Sequence, residues 1–169
     1  MELLINIQDL KQLGLIHDNV DVKIIRNTMI MVQDMNIQGV TGTPLYDELL
    51  RRVKDDDWDS NYRNLIEKYV YKSLVAWCNY YILEALNNQI TNKAVGRNND
   101  ENLNANSHEQ NNEFKKQLYR LAEFYDIKMM GFLKDNENIY PEYKEHRCNH
   151  EDVEKKGSKS NGIKGWVKV

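Results

Sequence analysis

His146-Arg147-Cys148-Asn149-His150 is the one cluster whose residue types resemble a metal site. His, Cys and His at alternate positions are donors of the kind that hold zinc. A structural zinc site wants four donors, and no second pair lies nearby. The cluster therefore reads as a polar entry to a flexible tail, and no metal is assigned. Asp55-Asp56-Asp57 with Asp59 gathers carboxylates that a hard cation would accept. It lacks the glycine and closing glutamate of a calcium loop, so a solvated acidic loop is expected. Gly39-Val40-Thr41-Gly42-Thr43 ends without the lysine that grips phosphates and more simply joins two helices. Ser60, Ser73, Ser107, Ser158 and Ser160 sit in no nucleophile elbow. A catalytic base needs a partner to orient it, and the sequence offers none to His17, His108, His146 or His150. The expectation is a non-enzymatic chain with no catalytic residue, cofactor or metal.

The elements that would carry any other activity must then be read from composition and periodicity. The chain has 169 residues, 41% hydrophobic and 29% charged, which favours one globular domain with a tail. No apolar run approaches the roughly 18 residues of a membrane span. The start, Met1-Glu2-Leu3-Leu4-Ile5-Asn6, lacks the basic region and apolar core of a signal peptide, which predicts a cytoplasmic origin. Two cysteines, Cys78 and Cys148, are too few for a disulfide scaffold. The net charge of -3 is unevenly spread. Residues 147–169 hold six Lys/Arg and three Asp/Glu, a charge of +3, leaving -6 on the rest. An acidic body argues against general nucleic-acid binding.

Helical spacing predicts an all-α bundle of about four helices. Asp9 to Gly14 offers one helical turn stopped by Gly14. A helix over 21–37, capped by Asn19 or Asp21, presents Ile25, Met29, Val32 and Asn36, and Gly39 and Gly42 then break the chain. Thr43 caps a second helix with Pro44 at its first position, and Leu45, Leu49 and Val53 share a face. Asp55-Asp56-Asp57 are expected to lead into the next helix, because acids are unfavourable at a helix C-terminus. A long central helix over 60–87 carries Ile66, Val70, Leu74, Trp77, Tyr81 and Leu86, more apolar girth than a monomer needs. Residues 87–112 form a long Asn-rich loop with a short extended piece at 90–96. A fourth helix over 107–136, with Ser107 and Gln110 at capping-box spacing, places Phe114, Leu118, Leu121, Ala122, Tyr125, Met129 and Phe132 or Leu133 on its apolar face. Ile139 to Tyr143 reads as extended.

Two units follow: a helical domain over 1–146 and a flexible basic arm over 147–169. The arm is too polar to fold alone, yet ends in Ile163, Trp166, Val167 and Val169. A solvated linker has no need of these residues. They are assigned as a hook that binds a partner.

Several stretches carry a family resemblance: Gln33-Asp34, Ile37-Gln38-Gly39-Val40-Thr41-Gly42, and Pro44-Leu45-Tyr46-Asp47-Glu48-Leu49-Leu50. After the aromatic-rich helix come Ile90-Thr91-Asn92-Lys93-Ala94-Val95 and Glu101-Asn102-Leu103-Asn104-Ala105. Phe132-Leu133-Lys134-Asp135-Asn136 and Tyr140-Pro141-Glu142-Tyr143 close the series. Over roughly residues 5–145 this succession resembles head–tail connector proteins of tailed bacteriophages, in particular those of crAss-like phages. It departs from them at Lys93-Ala94-Val95, where such connectors carry Lys-Gly-Val. The resemblance implies a structural virion protein at the head–tail junction. It would form a homo-oligomeric ring, expected to be a dodecamer, below the portal. The ring would bind the portal and the next neck or tail component, and let genomic DNA through without specific binding. The resemblance carries no catalytic residues. A DNA-packaging adaptor resembling a terminase small subunit is the alternative. Such an adaptor wants a basic recognition helix, whereas the first long helix offers only Lys23 and Arg26.

Overall fold

The computed structural model describes residues 2–17, 19–87, 90–91, 94–95 and 108–143. They are mostly helical. Asn6 opens α1 (Ile7–Leu13), its Oδ1 accepting from the Asp9 N–H at 2.9 Å, and the Gly14 N–H closes it on the Leu10 carbonyl at 2.8 Å. The extended backbone on either side of α1 is packed against the bundle, and buried amide groups need partners. Two buried side chains supply them. Gln33 Oε1 accepts from the Leu4 N–H at 2.7 Å, and its Nε2 donates to the Glu2 carbonyl at 3.2 Å. Asn79 Oδ1 accepts from the Leu15 N–H at 2.9 Å.

Of the two candidate caps for the next helix, Asp21 takes the role, accepting from the Lys23 N–H at 2.8 Å. The helix runs as α2 (Val22–Val32), a π turn (Gln33–Ile37) and α3 (Gln38–Thr41), so it outlasts its expected end and Gly39 lies inside it. Gly42 alone breaks it, with φ 77 and ψ 157, a conformation that L side chains rarely adopt. Gly42, not Thr43, is also the cap of α4 (Thr43–Asp55). Pro44 at the second position loses nothing, since the first N–H groups of a helix have no intrahelical acceptor.

The acidic run departs from expectation as well. Asp55 ends α4 and Asp56 caps it in the left-handed conformation, φ 51 and ψ 36. Arg51 offsets the unfavourable dipole term by contacting Asp55 and Asp57, each at 3.3 Å, and Glu48 at 2.8 Å. Only Asp59 serves the next helix, accepting from the Asn61 and Tyr62 N–H groups at 2.8 and 3.1 Å.

The helix over 60–87 is continuous: α5 (Ser60–Leu65), a second π turn (Ile66–Val70) and α6 (Tyr71–Asn87). The short extended piece is a hairpin of β1 (Ile90–Thr91) and β2 (Ala94–Val95), antiparallel with Ile90 opposite Val95. The last long helix is α7 (His108–Asp135). Ser107 and the Asn-rich stretch 98–106 lie outside the described residues. Helical elements outnumber the four expected, because α1 folds as a helix and both π turns divide longer runs.

α6 packs against α2 on one side and α7 on the other. The core joins Ile25, Met29 and Val32 of α2, Leu45 and Leu49 of α4, Leu74, Trp77 and Cys78 of α6, and Ala122, Met129 and Leu133 of α7. The residues after α7 are not extended, as their sequence implied. Tyr140 is 1% exposed, and its hydroxyl donates to the Asn61 carbonyl at 2.9 Å. Pro141 to Tyr143 form a helical turn. There Glu142 accepts from the Tyr62 hydroxyl at 2.9 Å, while the Tyr62 and Tyr140 rings meet edge to face at 5.3 Å. This latch ties the end of the bundle to the start of the helix over 60–87.

Candidate functional site

The excess apolar girth expected on the helix over 60–87 is covered within the chain. Trp77 is buried, with Tyr81 stacked at 5.8 Å and Tyr119 of α7 edge-on at 5.4 Å. Among the described residues, α7 carries exposed apolar surface instead. A helix turns about 100° per residue, so Leu118, Ala122, Met129 and Leu133 share the face that meets the bundle. Leu121, Phe124, Ile127 and Met130 follow an i, i+3 ridge across the solvent side. Ile127 is 64% exposed. Phe114 and Leu121, read from spacing as part of the buried face, are each 42% exposed. A second apolar rim stands at the N-terminal end, where Leu13, Leu15 and Val22 are exposed. Beside it a cleft of about 180 Å³ opens between Ile16, Val20, Ile82, Leu86 and Phe114.

The seam between α6 and α7 is polar at two points. Asp126 accepts from the Ser73 hydroxyl and, at 2.9 Å, from Trp77 Nε1. Burial pushes its carboxyl above the usual range, against the pull of those two donors. Lys115 reaches across to Glu84 at 2.7 Å and lies over the Tyr80 ring at 5.3 Å. These contacts fix how α7 sits on α6, and hence which of its residues face outward. On the opposite flank, α7 and the second π turn border a groove of about 520 Å³ that exposes Lys68, Lys72 and Lys128.

Among the described residues no group of three or more His, Cys, Asp or Glu stands together to hold a metal. Asp55 and Asp57 are bound by Arg51, and Asp59 by Arg52 at 3.0 Å. Cys78 is buried and burial pushes its thiol up, which keeps it from acting as a nucleophile. The zinc-like cluster His146, Cys148 and His150 lies outside the described residues, and so does the assigned hook Ile163, Trp166, Val167 and Val169. Sequence reasoning missed the outward ridge of α7. The signal was present as leftovers: Phe124, Ile127 and Met130 were the large apolar residues of that helix that its core face did not use.

No curated protein and no solved structure matches the chain. One family model matches residues 37–153, from the end of the first π turn through α7 and the latch and beyond the described residues. That span is more than half of the chain, which therefore belongs to the family of unknown function DUF6712.

Proposed function

We propose that this protein is a structural, non-enzymatic connector: a subunit of a homo-oligomeric ring in the neck of a tailed phage. The ring joins portal to tail and extends the DNA channel. The observation that carries the reading is the outward apolar ridge of α7, Leu121-Phe124-Ile127-Met130, which nothing among the described residues covers. Contiguous apolar surface beyond what a monomer ordinarily exposes marks an interaction site. A ring contact joins two different surfaces of the same chain. The ridge and the rim of Leu13, Leu15 and Val22 supply two such surfaces. The motif succession shared with crAss-like connectors points the same way, and the latch residues Tyr140 and Glu142 belong to one of those motifs. The basic arm over 147–169 reaches the portal or an adjacent subunit through Ile163, Trp166, Val167 and Val169. The virion neck is the site of action, after synthesis in the host cytoplasm; no described helix is long and apolar enough to cross a membrane.

Cryo-electron microscopy of the virion neck tests this reading. A closed ring of this chain beneath the portal is expected. A single asymmetric copy there, or none, overturns it. Phe124→Asp with Ile127→Asp should abolish ring formation while the monomer keeps its helicity, because both side chains already face solvent in the monomer.

A further inference from the structure

The groove between the second π turn and α7 has an unusual composition for an acidic molecule. Lys68 lies in the π turn and Lys72 one turn beyond it, and both are exposed. Lys128 faces them from α7, with its Nζ 4.7 Å over the Phe124 ring. Arg51, Arg52 and Lys115 are held by carboxylates. Among the described residues, Lys68 and Lys72 have no ion-pair partner. Asp135 is the one carboxylate on the groove's wall. The floor is aromatic: Tyr69 and Phe132 stack at 4.1 Å, 16° from parallel.

Two backbone features keep this groove in shape. The π turn contains both Lys68 and Tyr69. Such turns cost good hydrogen-bond geometry and are frequent at functional sites. Gly131 sits within α7, where glycine is unfavourable relative to alanine. A Cβ added there meets nothing within 4 Å, so packing does not demand the glycine. It lines the groove, where a larger side chain would add bulk.

We infer that this groove holds the phosphodiester backbone of a nucleic acid, through sequence-independent contacts of Lys68, Lys72 and Lys128. Lysine ammonium groups are compact point charges that suit phosphates along a strand, whereas carboxylates are better gripped by the arginine fork. Aromatic edges beside a basic track are the usual company of a nucleic-acid strand. The inference leans on the connector reading only for DNA as the polyanion at hand, and binding is measured without rings.

The test is anisotropy of a labelled duplex of arbitrary sequence, titrated with the full chain at several salt concentrations. Three phosphate contacts predict about a 40-fold loss of affinity for a fourfold rise in salt. Replacing Lys68, Lys72 and Lys128 together with Gln should remove most of that salt dependence. The same change at Lys155, Lys156 and Lys159 of the basic arm is the control and should remove less. Gly131→Leu fills the groove without altering charge and should weaken binding at unchanged helicity. A full effect in the arm variant with none in the groove variant overturns the inference. So does binding that survives Gly131→Leu, or a polyglutamate peptide that binds the groove while duplex and single-stranded DNA do not. Ring formation separates the two ideas: rings of the triple-Gln variant that do not bind DNA leave the connector reading standing, and a native chain that binds DNA through these lysines without forming rings leaves this one.

Discussion

At the scale of single residues, Asp126 and Trp77 decide how the two longest helices meet. Trp77 is 5% exposed, and its indole N–H is spent on Asp126. Trp77→Ala should cost roughly 3–5 kcal/mol, the range for truncating a large buried aromatic. Urea denaturation measures it, and a loss below about 1 kcal/mol would mean that Trp77 is no part of the core. Asp126 makes a prediction with pH. Its carboxyl is pushed above the ordinary aspartate range, chiefly by burial, so the fold binds that proton more tightly than the unfolded chain does. The resulting stabilisation is fully present below the unfolded value and is lost as pH rises through the folded one. Asp126→Asn keeps one oxygen to accept from Trp77 Nε1, and its amide can donate to the Ser73 hydroxyl, which turns to accept, all without the charge. The variant should match or exceed the native chain in stability at pH 7 and lose any advantage toward pH 3. A variant clearly weaker at neutral pH would show that the charged hydrogen bonds outweigh desolvation. Glu48 has the opposite sign: Arg51 above all lowers its carboxyl, so its contribution holds above the unfolded value of 4.5 and fades as pH falls through the folded one.

At the scale of elements, periodicity and caps made the long helices readable. Asp21, Asp59 and Gly14 act as their residue types imply. Three features were not legible for physical reasons. A π turn adds one residue without any composition signal, so Gln33 and Ile66 begin turns that 3.6-residue spacing cannot foresee. The capping role of Asp56 depends on a positive φ that Gly usually takes, and Arg51, four residues before Asp55, compensates for the acids. Tyr140 reads as extended because Pro follows it, yet a partner distant in sequence, Asn61, buries it. On α7, spacing located the core through Ala122, Met129 and Leu133 but could not say how wide the buried stripe is. Phe114 and Leu121 fall just outside it. Gly131 supplies the prediction at this scale. It is exposed and a Cβ there meets no atom within 4 Å, so Gly131→Ala should stabilise the chain by about 0.5–1 kcal/mol through helix propensity. Thermal melts read the change. A destabilised Ala variant would mean that the glycine serves the fold and not the groove.

At the scale of the whole molecule, the question is what the residues beyond the latch do in a chain of 169 residues. The latch of Tyr140 and Glu142 closes the described bundle. The polar composition of residues 147–169 predicts that removing their last residues leaves helicity and melting temperature unchanged. The last residues nevertheless include Ile163, Trp166, Val167 and Val169, and Trp anchors interfaces because it buries much area with few rotatable bonds. The basic charge before them, Lys155, Lys156 and Lys159, should speed encounter with an acidic partner, in a manner that salt weakens. Deleting Ile163 to Val169 is expected to keep the bundle folded, to leave ring contacts through α7 available, and to reduce incorporation of the protein into particles. Quantitative immunoblotting of purified virions, with the full and truncated chains expressed side by side, measures that incorporation. Equal incorporation rules out the hook. Loss of helicity in the truncated chain would show instead that the arm packs on the bundle, and would move those four residues from the partner interface to the core.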